Sequence, residues 1–238
     1  MKLDILAIGV HPDDVELSCS GTLLKHIALG KNCGILDLTQ GELGTRGSAK
    51  IRMQEAAKSA KIMGIKVREN LKMADGFFQN DKEHQLAIIK IIREYQPEII
   101  LCNAVADRHP DHTRAAQLIS EACFYSGLIK VATKFKGVNQ KPWRPKAVYH
   151  YIQDRQLKPD FVVDVTAFVD KKMEAIQAFK SQFFDPNSKE PESPISAKNF
   201  FDVIKAKMAV FGRDAGYNFA EGFNTERSIG VNDIFDLK

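Results

Sequence analysis

At 238 residues, with 44% hydrophobic and 27% charged side chains, the chain has the composition of a globular protein that can bury a substantial core. Its net charge of +4 is mild and its basic residues are dispersed, which argues against a nucleic-acid partner. No apolar run approaches the roughly 20 residues of a membrane span, and Met1 to Asp4 open directly into a strand pattern rather than a signal peptide; no membrane partner and a cytoplasmic location are expected.

Residues 3–10 read as a buried strand that ends abruptly in His11, Pro12, Asp13 and Asp14. Residues 15–29 carry Leu17, Leu23, Leu24 and Ile27 at helical spacing, and Gly30 is placed to end that helix. A second strand, 33–38, leads into a loop containing Gly41, Gly44 and Gly47. The next helix starts near Ser48 and stops at Gly64, followed by a strand at 66–71 and a helix at 82–95. A fourth strand, 98–102, follows Pro97, and Pro110 opens another helix at a position where proline costs no backbone hydrogen bond. Residues 130–145, basic and broken by Gly137, Pro142 and Pro145, read as irregular. Strands are expected at 147–152 and 161–165, helices at 167–182 and 197–211, and a surface loop at 185–194, which holds three prolines.

The alternation of strand and helix predicts an α/β fold with a doubly wound, mostly parallel sheet and right-handed crossovers. The second half is less regular. No repeat or linker divides the chain, so residues 1–238 read as a single domain with irregular C-terminal additions. Cys19, Cys33, Cys102 and Cys123 show no close pairing and read as small buried hydrophobes in a reducing compartment.

Two of the strands deliver histidine and aspartate just past their C-terminal ends: His11, Asp13 and Asp14 after the first, His109, Asp111 and His112 after the fourth. In an open parallel sheet that edge is where ligands bind. Imidazole nitrogen and carboxylate oxygen suit zinc with three protein ligands and a fourth position for water. His11 and Asp14, three residues apart, can face one point, and His112 is the natural third ligand. Helix capping is the competing reading of Asp13 or Asp14, but it does not explain the second cluster. Asp13, beside a ligand yet pointing elsewhere, is the expected general base. His109, protonated, is expected to steady the developing oxyanion or to act as acid, and Asp111 to hold one of the imidazoles in orientation. Iron(II) suits the same ligands as zinc. The glycine loop lacks a nucleotide-binding pattern and reads as a wall over a sugar pocket or as a plain connection.

The pattern His11-Pro12-Asp13-Asp14-x-Glu16 followed by His109-Pro110-Asp111-His112, with Gly21-Thr22 and Ala220-Glu221-Gly222-Phe223, resembles the zinc-dependent deacetylases of the LmbE/PIG-L family. The resemblance implies a Rossmann-like fold, N-acetylglucosamine-type substrates, zinc on His11, Asp14 and His112, Asp13 as base and His109 as electrophilic or acid partner. A closer resemblance, to the bacillithiol-biosynthesis deacetylases, is carried by residues 37–47, by Arg52 with Glu55 and Ala56, and by Asp107-Arg108. It implies N-acetylglucosaminyl-malate as substrate, glucosaminyl-malate and acetate as products, and a homo-oligomer, by analogy a hexamer. A different N-acetylglucosamine or thiol conjugate is the alternative. Malate carries two carboxylates, which guanidinium groups suit; Arg46, Arg52, Arg108 and Arg144 are the candidates. Some relatives have a tyrosine near the proline-rich loop where this chain has Phe200 and Phe201, so no hydroxyl contact is expected from that helix.

Overall fold

The computed structural model describes residues 1–237. Strand and helix alternate from the start: β1 (Ile5–Gly9), α1 (Asp14–Ala28), β2 (Cys33–Thr39), α2 (Ala49–Met63), β3 (Val67–Met73), α3 (Lys82–Tyr95), β4 (Ile99–Cys102) and α4 (Pro110–Ser126). A two-residue ribbon, β5 (Lys134–Phe135) with β6 (Val138–Asn139), interrupts the alternation before β7 (Ala147–Tyr151), β8 (Phe161–Asp164), α5 (Val169–Gln177), α6 (Phe200–Arg213) and β9 (Ala220–Thr225). Seven strands form one sheet in the order β3-β2-β1-β4-β7-β9-β8. The first five are parallel, and β9 runs antiparallel to both β7 and β8. The mostly parallel α/β sheet expected from the alternation is thus present.

The register explains where a site can form. Ile5 of β1 pairs with Cys33 on one side and with Ile99 on the other, so β1 is central. From β1 the chain winds outward through β2 to β3, then returns to β1's other edge as β4. Connections therefore leave β1 and β4 toward opposite faces, and a crevice opens beyond their C-terminal ends. Every residue of β1 and β2 is buried, as parallel strands covered on both faces require. Ile88, Ile89 and Ile92 of α3 and Leu118 and Ile119 of α4 cover one face, and Val15, Cys19 and Leu23 of α1 cover the other.

Two segments differ from expectation. The helix expected over 167–182 is shorter, because side chains of distant segments bind the backbone and side chains that follow α5. Glu55 accepts from Ser181 N and Oγ at 2.8 and 2.7 Å, and Gln182 Nε2 donates to the Arg46 carbonyl at 2.9 Å. Strand β9 was not expected; Glu221, Gly222 and Asn224 dilute its strand propensity, and two flanking strands supply its order. All four cysteines are buried and free, and no described helix is long and apolar enough to cross a membrane.

Buried charge links the C-terminal half to α1. Lys172, 1% exposed, donates to Glu221 Oε1 at 2.7 Å and to the Leu17 carbonyl at 2.9 Å. Glu221 also accepts from Gly21 N and Thr22 N at 2.9 and 2.7 Å. Removing one member of such a pair strands the other charge, at a cost of about 3–5 kcal/mol. Lys172→Met is expected to lower the unfolding free energy by that amount in urea titrations; a loss under about 1 kcal/mol, the usual worth of an exposed pair, would contradict this role.

Candidate metal centre and active site

The loop after β1 is held by the side chain of Asp14, the first residue of α1. Its Oδ2 accepts from Val10 N at 2.9 Å, His11 N at 3.0 Å and Asn103 Nδ2 at 3.0 Å, which ties the end of β1 to the residue after β4. Asp13 has φ +150, a strained value for a residue with a side chain. It makes no side-chain cap to α1, so capping does not account for it. Instead its carboxylate accepts from Arg52 Nη2 at 2.8 Å. On the other side of the crevice, His109 caps α4: its Nδ1 accepts from Asp111 N at 3.3 Å, and Pro110 sits in the first turn.

His11, Asp14 and His112 converge, with one ligand atom of each lying within 4.8 Å of the others. Each imidazole has one nitrogen bound to a carboxylate. His11 Nε2 is 2.9 Å from Asp75 Oδ1, and His112 Nδ1 is 3.1 Å from Asp107 Oδ2. The remaining nitrogens face Asp14, His11 Nδ1 at 3.8 Å from Oδ2 and His112 Nε2 at 3.3 Å from Oδ1. His112 Nε2 is buried without a hydrogen-bond partner. Two imidazoles fixed by outer carboxylates and a carboxylate between their free nitrogens match the donor set and support of a divalent metal. A second grouping, His11 with His109 and Asp111, fits less well. The Asp111 carboxylate is already taken by Gly76 N and Arg114 Nη1, each at 2.8 Å.

The electrostatics agree. Burial opposes ionisation of Asp14, yet His112 and His11 hold its carboxyl well below the usual range. Burial also disfavours charge on the histidines, but Asp14 and Asp75 raise His11 to about 9, and Asp14 and Asp107 raise His112 to about 10. Asp13 behaves differently: burial pushes it up to about 6 against the opposing pull of Arg52. Burial and the charges on His11 and His112 hold His109 below its ordinary range, which works against the protonated form expected. Because its Nδ1 accepts, the neutral ring carries its proton on Nε2.

Residues 6–123 match the family described as PIG-L, GlcNAc-PI de-N-acetylase. The uncharacterized deacetylase YaiS of Escherichia coli K12 is 32% identical over 50% of this chain and 67% of its own. The chain belongs to the PIG-L/LmbE family of deacetylases. A diacetylchitobiose deacetylase of Thermococcus kodakarensis is 28% identical over 92% of this chain and 81% of its own length. A probable N-acetyl-alpha-D-glucosaminyl L-malate deacetylase 2 of Bacillus anthracis is 28% identical over 75% and 81%, respectively. The crystal structure of a conserved protein from Thermus thermophilus superposes with a TM-score of 0.85 at 32% identity, covering 97% of this chain and 98% of that one.

In this PIG-L family member the site opens into a cavity of about 430 Å³. His11, Asp13, Asp14, His109, His112, Arg46, Arg52 and Arg108 all line it. Two expected residues have partners other than those read for them. Arg144 lies outside this cavity, its Nη2 bound to the Phe124 carbonyl at 2.8 Å and its guanidinium 4.4 Å from the Phe124 ring. The Asp111 carboxylate accepts from Gly76 N and Arg114 Nη1 and, among the described residues, hydrogen-bonds neither imidazole. The orienting carboxylates are Asp75 and Asp107, neither assigned that role from sequence. The sequence signal of Asp75 is position, just beyond the C-terminal end of β3; Asp107, beyond β4, also stands in the Asp107-Arg108 pair that carries the closer resemblance. His150 was also missed; it is buried between the Asn103 carbonyl at 2.8 Å and Glu226 Oε1 at 3.0 Å.

A metal held by His11 and His112 would compete with the protons that their raised values favour. A metal ligand must be neutral imidazole, so binding at pH 7 is expected to release about two protons, and affinity to rise with pH toward 9–10. Calorimetric zinc titrations in buffers of different ionisation enthalpy measure this directly. Release of no protons at pH 7 would contradict the ligand set.

Proposed function

We propose that the protein is a metal-dependent N-deacetylase that hydrolyses the acetamide of an N-acetylglucosamine conjugate, with zinc as metal and N-acetylglucosaminyl-malate as substrate. The observation that carries this reading is the convergence of His11, Asp14 and His112 on one point beside the strained, buried Asp13. His11, Asp14 and His112 would hold zinc, which would supply Lewis acidity toward the acetamide carbonyl and water; iron(II) fits the same donors.

The remaining chemistry belongs to the chain's own groups. Asp13, raised to about 6, is mostly ionised at pH 7 and yet basic enough to accept a proton from water as the oxygen attacks the acetyl carbon. Arg52 fixes that carboxylate, and Gly41 leaves room for it: at φ +64, a Cβ there would lie 2.0 Å from Arg52 Nη1. His109 donates from Nε2 to the oxyanion that forms, a preorganised contact of a kind worth about 3 kcal/mol. The C–N bond then breaks, the proton held by Asp13 passes to the departing nitrogen, and acetate and a free amine result.

The malate conjugate is supported by the likeness to the Bacillus anthracis relative and by the arginines at the cavity wall. The likeness to the Thermococcus kodakarensis enzyme supports the coarser sugar class equally. Acetate release from N-acetylglucosaminyl-malate, diacetylchitobiose and N-acetylglucosamine, each with metal-loaded and chelated protein, separates them. Metal-dependent turnover that favours the malate conjugate is expected. A preference for chitobiose would remove malate and keep the deacetylase, and no acetate from any of the three would overturn the reading. Asp13→Asn is expected to bind metal normally and to lose about a hundred- to ten-thousand-fold in kcat; an unchanged kcat would remove Asp13 as base.

A further inference from the structure

Five cations line the cavity: Arg46, Arg52, Arg108, Lys172 and Lys207. Four are engaged. Arg52 binds Asp13 and the Gly41 carbonyl, Arg108 pairs with Asp154, and Lys172 binds Glu221 and the Leu17 carbonyl. Lys207 Nζ lies 3.4 Å from the carbonyls of both Asp154 and Arg155.

Arg46 is different. Its side chain is 5% exposed, its Nε, like that of Arg52, is buried without a hydrogen-bond partner, and among the described residues no hydrogen bond engages its Nη atoms as Asp13 and Gly41 engage those of Arg52. Its ion-pair partner among the described residues is Glu190, whose Oε2 stands 3.8 Å from Nε and whose side chain is 46% exposed. A guanidinium whose Nε is removed from water needs hydrogen bonds to offset that desolvation, and a half-exposed carboxylate at that distance offsets little. Glu190 is itself held elsewhere: its Oε1 accepts from Gly47 N at 2.9 Å. Gly47 has φ +71, and a Cβ there would meet Ser181 Oγ at 2.7 Å, so this close approach of backbone is open to glycine alone. The contact fastens the proline-rich segment 185–194 beside Arg46, and Ser193 and Pro194 of that segment form part of the cavity wall.

We propose that Arg46 is the subsite for a carboxylate carried by the substrate outside its sugar ring, and that Glu190 is the counter-ion which this carboxylate displaces. The inference rests on the deacetylase reading above and narrows its substrates to anionic conjugates. The planar guanidinium offers paired donors that match a carboxylate in a way no single lysine does. Glu190 keeps its bond to Gly47 throughout, so the wall stays in place while the charge on Arg46 changes partner. A neutral conjugate leaves Arg46 with Glu190 and gains nothing from it.

The test uses the full-length, metal-loaded protein with N-acetylglucosaminyl-malate and neutral methyl N-acetylglucosaminide, together with calorimetric binding of free L-malate. Arg46→Gln is expected to raise KM for the malate conjugate at least tenfold more than for the methyl glycoside and to abolish malate binding, and Arg46→Lys to recover only part of either. Glu190→Gln is expected to tighten malate binding and lower KM for the malate conjugate severalfold. Equal KM changes on the two sugars in Arg46→Gln, or malate binding that is absent from the wild type or indifferent to Arg46, would overturn the subsite. Malate binding unaltered in Glu190→Gln would overturn the exchange of counter-ions. Should neither sugar release acetate, the deacetylase reading fails, and malate binding with and without Arg46 still decides the subsite.

Discussion

The Asp14 carboxylate has to serve two demands at once. With one oxygen it closes the fold at the switch point, accepting from Val10 N, His11 N and the Asn103 amide; with both it faces the free nitrogens of His11 and His112. Hydrogen bonds to a charged acceptor contribute about 1.5–3 kcal/mol each, so these three offset much of the cost of burying the anion. The same bonds fix its position. A carboxylate that faces both imidazoles and also clamps β1 to β4 cannot drift without the sheet edge opening.

Around that carboxylate the charges are layered. Asp75 and Asp107 set the two imidazoles from outside, and Arg52 restrains Asp13. Beneath them lies a second buried network that touches none of His11, Asp14 and His112. Arg68 forks onto Asp37 at 2.8 and 2.9 Å and reaches Glu16 at 2.6 Å, and Ser59 donates to Glu16 at 2.7 Å. These contacts join α1, α2, β2 and β3 under the loop that presents His11 to Asp14. The last position of the first motif, Glu16, is therefore explained by support rather than by chemistry.

What the sequence revealed follows from physical locality. The strand ends, the proline and serine at helix starts and the histidine–aspartate clusters are written within a few neighbouring residues, and the structure places them as read. Asp75 lies 64 residues from the imidazole it orients, and the order of strands, not any local pattern, joins them. Arg144 illustrates the reverse error. Its guanidinium suited a carboxylate of the malate, but an aromatic ring and a backbone carbonyl hold it on another surface. Strand β9 was hidden because its order comes from β7 and β8 rather than from its own residues.

The central claim is that one metal sits among His11, Asp14 and His112. Anomalous diffraction at the zinc edge from crystals of the zinc-loaded protein tests it most directly. A single peak within bonding distance of His11 Nδ1, an Asp14 oxygen and His112 Nε2 is the predicted result. A peak on His109 and Asp111, or none at the crevice, would contradict the account.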